Sequence, residues 1–591
     1  MKGAELIVDR LIEQRVPYVF GLCGHGILGF LDAVYDRQDE LKPVSVHHES
    51  VAAFMADAYY RITHNPVATY TSCGPGSTNL IVAIASAFQD SSAMLAITGN
   101  VPTSQWNRGP FQETGRYFQG DFVQVMRPYV KRSFQPTRPD MLDLALRQSF
   151  DLMRGGRPGP VNLDVPLNLF VEDVGVDSVE PWPRTCYTRP AGDPNAIADA
   201  ARLLTSAERP VIVAGHGVDL SEGARALVAL AEALSIPVAT TPLGKGIIDG
   251  SHPLSLGATG RNGTYQSNAA TRNADVILAL GTRFDDRATS AWLPGYTYSI
   301  PPTRLIHVDI DASEIGRNFP AEIGIVGDAR VVSEQLLAAT RDAAAAPGRN
   351  SRWLAKIDGW RDRWEEKMSD HRNSEAIPIR PERLVSDLQK VLRDDSIVLS
   401  DVGAHHNWLV SEYVTHHPHG LLQSWGFASM GFAVAGVLGA KLAAPDKQVV
   451  AVCGDAGFLM LPSPVATAVE YDIPAVWVVW NNTGYNSIRD QQMGYFGRDR
   501  ELVTSFRNEK TGELMSPDFA AMAESMGARG VRVERPEDFA GQLEQALASG
   551  RPAVLDVRVD RDAKLPATAS WDLPPLPHPE PNFGWGEDRV D

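Results

Sequence analysis

Cysteine is scarce. The 591-residue chain has four, Cys23, Cys73, Cys186 and Cys453, and no two stand in a Cys-x-x-Cys pair. A disulfide framework is excluded on that count, and a thiolate zinc site gains no support. Basic residues are also in deficit, with 55 Lys and Arg against 72 Asp and Glu and a formal charge of −17. A surface of that sign disfavours nucleic acid and anionic membrane as principal partners. No apolar run is long enough to span a bilayer. The opening stretch MKGAELIVDRLIEQ interleaves charged and apolar residues and lacks the apolar core of a signal peptide. It reads as a first helix, and the expected compartment is cytoplasmic. No fixed-period repeat is visible.

What is present is alternation of short Val-rich runs with amphipathic stretches, over a length that implies several domains. The expected fold class is α/β, with three doubly wound, mostly parallel sheets. The first block, 1–172, holds YVFGL, PVSVHH, VATYT, MLAIT and PVNLDVP as strands. A Pro-, Asp- and Arg-rich segment then reads as a linker. The second block, 190–345, repeats the alternation in RPVIVAGHG, IPVATTP, DVILALG and LIHVDID. The third, 378–560, carries SIVLSDVG, QVVAVCGD, AVWVVWNN and PAVLDVRV, in a rhythm similar to the first. Residues 561–591 form a Pro-rich tail, expected to be extended over the body or a neighbouring subunit.

Two motifs in the third block carry chemistry. VCGDAGFLML (452–461) and AVWVVWNNTGYNSI (475–488) each end a buried strand, and the stretch between them has room for one crossover helix. In such a βαβ unit both strand ends open on the edge where α/β sheets bind ligands. Asp455 offers a carboxylate oxygen, Asn482 an amide oxygen and Gly484 a backbone carbonyl. With two phosphate oxygens and a water they make the octahedral oxygen set that Mg²⁺ prefers. The Gly454–Gly457 turn leads into a helix whose first N–H groups can face a second phosphate. Either motif alone would suit a tight turn or a capped loop; their pairing favours a metal-held diphosphate.

Gly-Asp-Gly followed some two dozen residues later by Asn-Asn marks thiamine diphosphate enzymes, and residues 454–482 fit it with Ala456 in place of the third motif residue. The chain resembles the acetolactate synthase-like branch of that family from YVFGLCGHG to about residue 560. Matching stretches include VHHESVAAFMADAYYR, TSCGPGSTNL, PFQET, GRPGPVNLDVP, GTRFDDRAT, HVDIDASEIG and SMGFAVAGVLGAKLAAPDK. The resemblance implies that the first block binds the aminopyrimidine, the third the diphosphate with Mg²⁺, and the middle one FAD. It also implies a homodimer or homotetramer with the cofactor spanning two chains.

The site residues follow in the same terms. Glu49, in VHHES, is the acidic residue suitably placed to share a proton with the pyrimidine N1′ and trigger the cofactor; a helix cap is the plainer alternative. By resemblance Met430 is the wedge beneath a bent cofactor, and the Ala428 carbonyl takes the 4′-amino group. Val402, Gly403 and His405 match positions lining the diphosphate, with Gly454, Ala456 and Gly457. His405 is expected to donate to a phosphate oxygen. His406, His416, His417 and His419 show no helix-face pairing that would suit zinc.

The pocket departs from the family. Acetolactate synthases carry Pro-Gly-Gly-Ala after the first strand, where this chain has Cys23-Gly24-His25-Gly26. His25 would point at the substrate, to hydrogen-bond a carbonyl or shuttle a proton. A comparable His occurs in cyclohexane-1,2-dione hydrolase, a relative. Gln491 stands where acetolactate synthases have a Trp, whereas Phe111 and Gln112 match pocket residues. Thr241, Gly244, Arg283, Asp285, Arg287, Asp309, Asp328 and Ala329 resemble FAD-binding edges, Arg suiting a pyrophosphate and a strand-end acid suiting ribose. Residues 484–517 read as a long polar loop able to act as a lid. The expected activity is decarboxylation of a 2-oxo acid with transfer of the acyl carbanion to a second carbonyl. The alternatives are hydrolysis or cleavage of a diketone, simple decarboxylation, a flavin oxidase, or a non-catalytic subunit.

Overall fold

The computed structural model describes residues 1–112, 122–178, 180–183, 188–341, 350–569 and 585. Their Val-rich runs are buried on both faces, as in β15 (Val449–Gly454) and β16 (Val476–Asn481). Continuous burial of that kind belongs to parallel strands covered by helices on each side.

Three six-stranded sheets result, and every strand pairing within them is parallel. The first contains β1 (Tyr18–Gly21), β2 (Lys42–Ser45), β3 (Ala68–Thr71), β4 (Leu95–Asn100), β5 (Ser133–Phe134) and β6 (Val161–Pro166). Their spatial order is β2-β1-β3-β4-β6-β5. The third contains β13 (Ile397–Ser400), β14 (Leu421–Gln423), β15, β16, β17 (Arg529–Val533) and β18 (Ala553–Arg558), ordered β14-β13-β15-β16-β18-β17. Counted from its own first strand, that order is identical to the first. The shared rhythm of the two blocks is therefore a shared topology.

The middle sheet differs. Its strands are β7 (Pro210–Ala214), β8 (Val238–Thr240), β9 (Ser255–Ala258), β10 (Val276–Leu280), β11 (Arg304–Asp309) and β12 (Ile323–Val326). They stand as β12-β11-β10-β7-β8-β9, the strand order of dinucleotide-binding sheets, which reverses between the first and fourth strands.

First and third domains are joined by two helices, Glu49–Thr63 and Phe432–Ala443. They approach so closely that a Cβ on Gly439 would stand 2.0 Å from the Met55 carbonyl oxygen. Phe54 meets Phe432 edge-on at 6.2 Å. Below them Arg61 is buried, its guanidinium bound to Asp57 (2.7 Å), Asp90 (3.1 Å) and the Gln423 carbonyl (2.7 Å).

One expectation changes. Part of the loop expected over 484–517 is a helix, Asn486–Phe496, anchored where Asn486 donates to the Arg561 carbonyl (2.7 Å) and Arg489 to Asp562 (2.8 Å). Its Gly494 and sparse apolar face hid it from a periodicity reading. The tail begins against the body, with Thr568 donating to the Gly263 carbonyl (2.7 Å) and Trp585 stacked on Tyr265 at 4.4 Å. Most of the tail, Cys186 and the end of PFQET lie outside the described residues. Among the described residues no helix is long and apolar enough to cross a membrane.

The Gly439 contact makes a prediction. Gly439→Ala must push the helices apart, at about 1–3 kcal/mol or more, so its thermal midpoint should fall. Gly541→Ala, on an open helix face with nothing near its Cβ position, should hold or raise the midpoint, gaining about 0.5–1 kcal/mol of helix propensity.

Candidate active site

Both outer sheets reverse strand order between their first and third strands, and the predicted residues gather at the carboxyl ends there. In the third domain β15 delivers Asp455 as the first residue of a short helix. Asp455 Oδ2 accepts from the Thr483 N–H (2.5 Å) and the Gly484 N–H (3.1 Å), while Oδ1 accepts from Ala456 (2.7 Å). The 482–484 backbone is thereby strapped onto the carboxylate. Gly484 lies so close to Thr504 that a Cβ would sit 2.3 Å from its carbonyl oxygen, at φ +149°. No side chain fits there.

Asp455 is almost fully buried, and burial pushes its pKa up to about 6 against the pull of the backbone donors. Among the described residues it has no Lys, Arg or His partner. An uncompensated buried carboxylate beside a half-exposed amide, Asn482, is a donor set that fits a hard divalent cation. The preceding Asn481 does other work. It is buried and donates to Asp556 (2.7 Å) and Ser516 (2.8 Å), tying β16 to β18.

Sequence reasoning missed Asp401, which follows β13. It is fully buried, and burial raises its pKa to about 7. Its carboxyl accepts from the N–H groups of Gly431 (2.9 Å) and Ala433 (3.3 Å), at the start of the Phe432–Ala443 helix. The turn carrying Ala428 and Met430 is held there, with Ala428 at φ +52°. Gly457 is needed for the same contact, because a Cβ on it would lie 2.4 Å from Asp401 Oδ2. An acidic residue ending a buried strand was the available signal.

His405 corrects an expectation. Its Nε2 donates to the Asp401 carbonyl (2.8 Å), and burial pushes the ring down to about 4. The neutral imidazole therefore turns Nδ1 toward Gly403 and Gly454 as a lone pair. Donation to a phosphate oxygen would require a second proton.

In the first domain Glu49 opens its helix with His48 as N-cap. The carboxyl is buried, and Oε2 accepts from Asn79 Nδ2 at 3.0 Å. Oε1 lies beside Gly76, 3.2 Å from where a Cβ would stand. The His25–Gly26 turn is fixed by Gly26 N–H donating to Ser72 Oγ (3.0 Å) and by Gly99, whose Cβ would meet the Gly26 carbonyl at 2.2 Å. The His25 side chain is left exposed. Gln112 accepts a long contact from Cys73 Sγ (3.7 Å), and Phe111 is 80% exposed. Gln491 lies half-buried on the Asn486–Phe496 helix. Among the described residues no hydrogen bond joins Glu49 to Asp455 within one chain.

The middle sheet reverses between β7 and β10, and a cavity of about 770 Å³ opens there. Thr241, Arg283, Asp285, Asp309, Asp328 and Ala329 line it. Gly244 and Arg287 lie outside that lining; Arg287 stacks over Trp425 at 5.2 Å. Arg157 also faces the cavity, and burial, then the charge of Arg283, push its pKa down. Two guanidinium groups in one partly buried space suit a pyrophosphate. Burial raises Asp309 to about 6. Asp328 is engaged as a helix cap, accepting from Arg330 and Val331, and Asp285 accepts from Trp425 Nε1 (2.9 Å).

Asp401 generates a prediction. Asp401→Ala leaves the Gly431 and Ala433 N–H groups unpaired, at a cost of about 1–3 kcal/mol, and its thermal midpoint should drop. Asp401→Asn, which keeps one acceptor oxygen, should recover part of the loss.

The chain matches three family descriptions in order. Residues 1–120 match "Thiamine pyrophosphate enzyme, N-terminal TPP binding domain", 197–336 match the central domain, and 401–557 match the "C-terminal TPP binding domain". Among curated relatives, the probable acetolactate synthase large subunit of Methanocaldococcus jannaschii is 36% identical over 579 residues, spanning 96% of this chain and 93% of that protein. The acetolactate synthase isozyme 3 large subunit of Escherichia coli is 33% identical over 570 residues, 95% of each chain. The acetolactate synthase large subunit of Corynebacterium glutamicum is 34% identical over 571 residues, 96% of this chain and 88% of that protein. With three matched domains and full-length relatives of this kind, the chain belongs to the thiamine pyrophosphate enzyme family, in its acetolactate synthase-like branch.

Proposed function

We propose that the protein is a carboligase that decarboxylates a 2-oxo acid and joins the remaining acyl unit to a second carbonyl compound. The observation that carries this reading is the buried carboxylate of Asp455, without a Lys, Arg or His partner among the described residues and strapped to the Thr483 and Gly484 N–H groups beside Asn482, in a chain whose full-length relatives are acetolactate synthase large subunits.

Asp455, Asn482 and the Gly484 carbonyl would hold Mg²⁺, and through it the diphosphate. Ala428 and Met430, held in place by Asp401, would support the cofactor's middle. When bound, thiamine diphosphate would supply a carbon acid whose conjugate base is nucleophilic toward carbonyls, and an electron sink for the pair left behind as CO₂ departs. Glu49 would hold and exchange a proton at the pyrimidine N1′, its carboxyl fixed by Asn79. The Asn486–Phe496 helix, with Gln491, would cover the site and exclude water. His25 would orient the acceptor carbonyl from the opposite rim.

Apolar side chains stay exposed on both rims: Leu28 and Phe111 in the first domain, Leu459, Met460 and Ile488 in the third. Such surface is usually covered in an assembly, which supports a dimer with Glu49 of one chain facing Asp455 of its partner. The cavity at the β7–β10 reversal, with Arg157 and Arg283, supports FAD as the middle domain's ligand.

With thiamine diphosphate, Mg²⁺ and a panel of 2-oxo acids, the enzyme should release CO₂ and yield a ligated product identified by mass. Ring opening of a cyclic diketone without CO₂ would replace this reading with the hydrolase. Glu49→Gln should lower turnover by about 10²–10⁴-fold; unchanged turnover would refute the trigger role.

Asp455 adds a pH dependence. Its folded pKa lies above its ordinary value of 3.8, at about 6. In the cofactor-free protein its contribution favours folding at low pH and is lost as pH rises between those values. Mg²⁺ needs the ionised carboxylate, so Mg²⁺ affinity should fall by about tenfold per pH unit below about 6. A thermal-shift titration across that window checks the slope, and Asp455→Asn should flatten it.

A further inference from the structure

Where the three domains meet, His64, His216, Asp219 and His419 converge at one end of the β7–β10 cavity, whose lining includes His64 and His216; none of the four has a part in the proposed reaction. His64 caps the Glu49–Thr63 helix of the first domain in the left-handed region, φ +50°. His216 and Asp219 belong to the short helix His216–Leu220 after β7 of the middle domain. His419 lies in the loop before β14 of the third.

Asp219 stands at the centre. Its Oδ2 is 3.7 Å from His64 Nε2 and 3.7 Å from His216 Nδ1, and its Oδ1 is 3.3 Å from His419 Nε2. The ligand atoms of His64, Asp219 and His419 all lie within 4.8 Å of one another. The His64 and His419 rings meet edge-on at 5.8 Å. His419 Nε2 is within hydrogen-bond distance of Asp219 but poorly angled, and the other two contacts are longer. Nε2 of His64, Nε2 of His419 and both ring nitrogens of His216 are shielded from solvent without a hydrogen-bond partner. Leaving polar atoms in that state costs stability unless something binds them.

We infer that His64, Asp219 and His419, with His216 beside them, form a site for one divalent transition ion of the zinc class, which ties the three domains together. Imidazole and carboxylate suit zinc, cobalt, nickel or copper rather than magnesium. Zinc–ligand bonds of about 2.0–2.2 Å bring tetrahedral ligand atoms to about 3.3 Å apart, close to the spacing already found around Asp219.

The surrounding charge favours a cation. Next to the cluster Arg61 is shared by Asp57 and Asp90. Arg61 is thus engaged elsewhere and leaves the Asp219 carboxylate to the imidazoles. The other histidines of the loop face elsewhere: His416 contacts Asp249 (3.1 Å) and His417 donates to the Ser396 carbonyl (3.1 Å). His419 alone of that loop turns into the junction.

The test uses the untagged full-length protein, equilibrated with Zn²⁺, freed of loose metal by gel filtration and assayed by mass spectrometry for bound zinc. About one ion per chain is expected, falling below about a tenth in His419→Ala and in Asp219→Asn. Asp455→Asn, altered at the separate magnesium carboxylate, should keep the zinc. Co²⁺ added to the metal-free wild type should give the intense visible absorption of a tetrahedral His/carboxylate site, a readout that does not depend on any variant folding. Wild-type zinc below about a tenth per chain, equal zinc in His419→Ala, or no such cobalt absorption would each overturn the assignment.

Discussion

A carboxylate removed from water must be given donors or a cation, and this chain buries three of them around its candidate active site. Asp455 takes three backbone N–H groups and, among the described residues, has no counter-charge. Asp401 takes the first N–H groups of a helix. Glu49 keeps one amide donor and one flank against glycine. Partial satisfaction of this kind holds a side chain in place without extinguishing its chemistry: the donors fix geometry, and the missing positive charge remains available to a ligand. Had Lys or Arg paired with Asp455, the site would be more stable and inert.

These carboxylates meet because of topology. The first and third sheets share one strand order, and each places its reversal beside its functional acid. Glycines then set how close the backbone comes. Gly457 admits Asp401, Gly484 admits Thr504, and Gly439 brings the two domain-joining helices into contact. The middle sheet reverses at another pair of strands and opens a cavity there instead. One rule, ligands at the carboxyl edge where strand order turns back, accounts for all three sites.

Much of this was legible in the sequence, for identifiable reasons. Val-rich runs ending in Gly-Asp or Asn-Asn announce buried parallel strands with functional ends, so three α/β domains and the Asp455–Asn482 pairing could be read directly. The neighbouring Asn481 is spent on Asp556 and Ser516, which leaves Asn482 the freer amide of the pair. What could not be read depends on contacts distant in sequence. Asp401 looks like any strand-end acid until the 431–433 backbone folds onto it. The donor at His405 is consumed by a carbonyl four residues back. The helix Asn486–Phe496 is set by tertiary anchors rather than by its own periodicity. His64, Asp219 and His419 lie in three domains, so no local spacing could announce them.

Arg61 shows how the three domains are coupled. It binds Asp57 on its own helix and Asp90, and Asp90 also accepts from the Trp425 and Gly426 N–H groups of the third domain. The Trp425 indole donates to Asp285 in the cavity wall of the middle domain. A continuous hydrogen-bonded path thus runs from the helix that begins with Glu49, through the third domain, to the edge of the cavity. Buried paths of this kind are stiff, because breaking any one link strands a charge. A ligand that filled the cavity would stiffen that junction further without touching the reacting atoms. A flavin in such a place can therefore serve the proposed chemistry by holding the Glu49 helix in position, with no electron transferred.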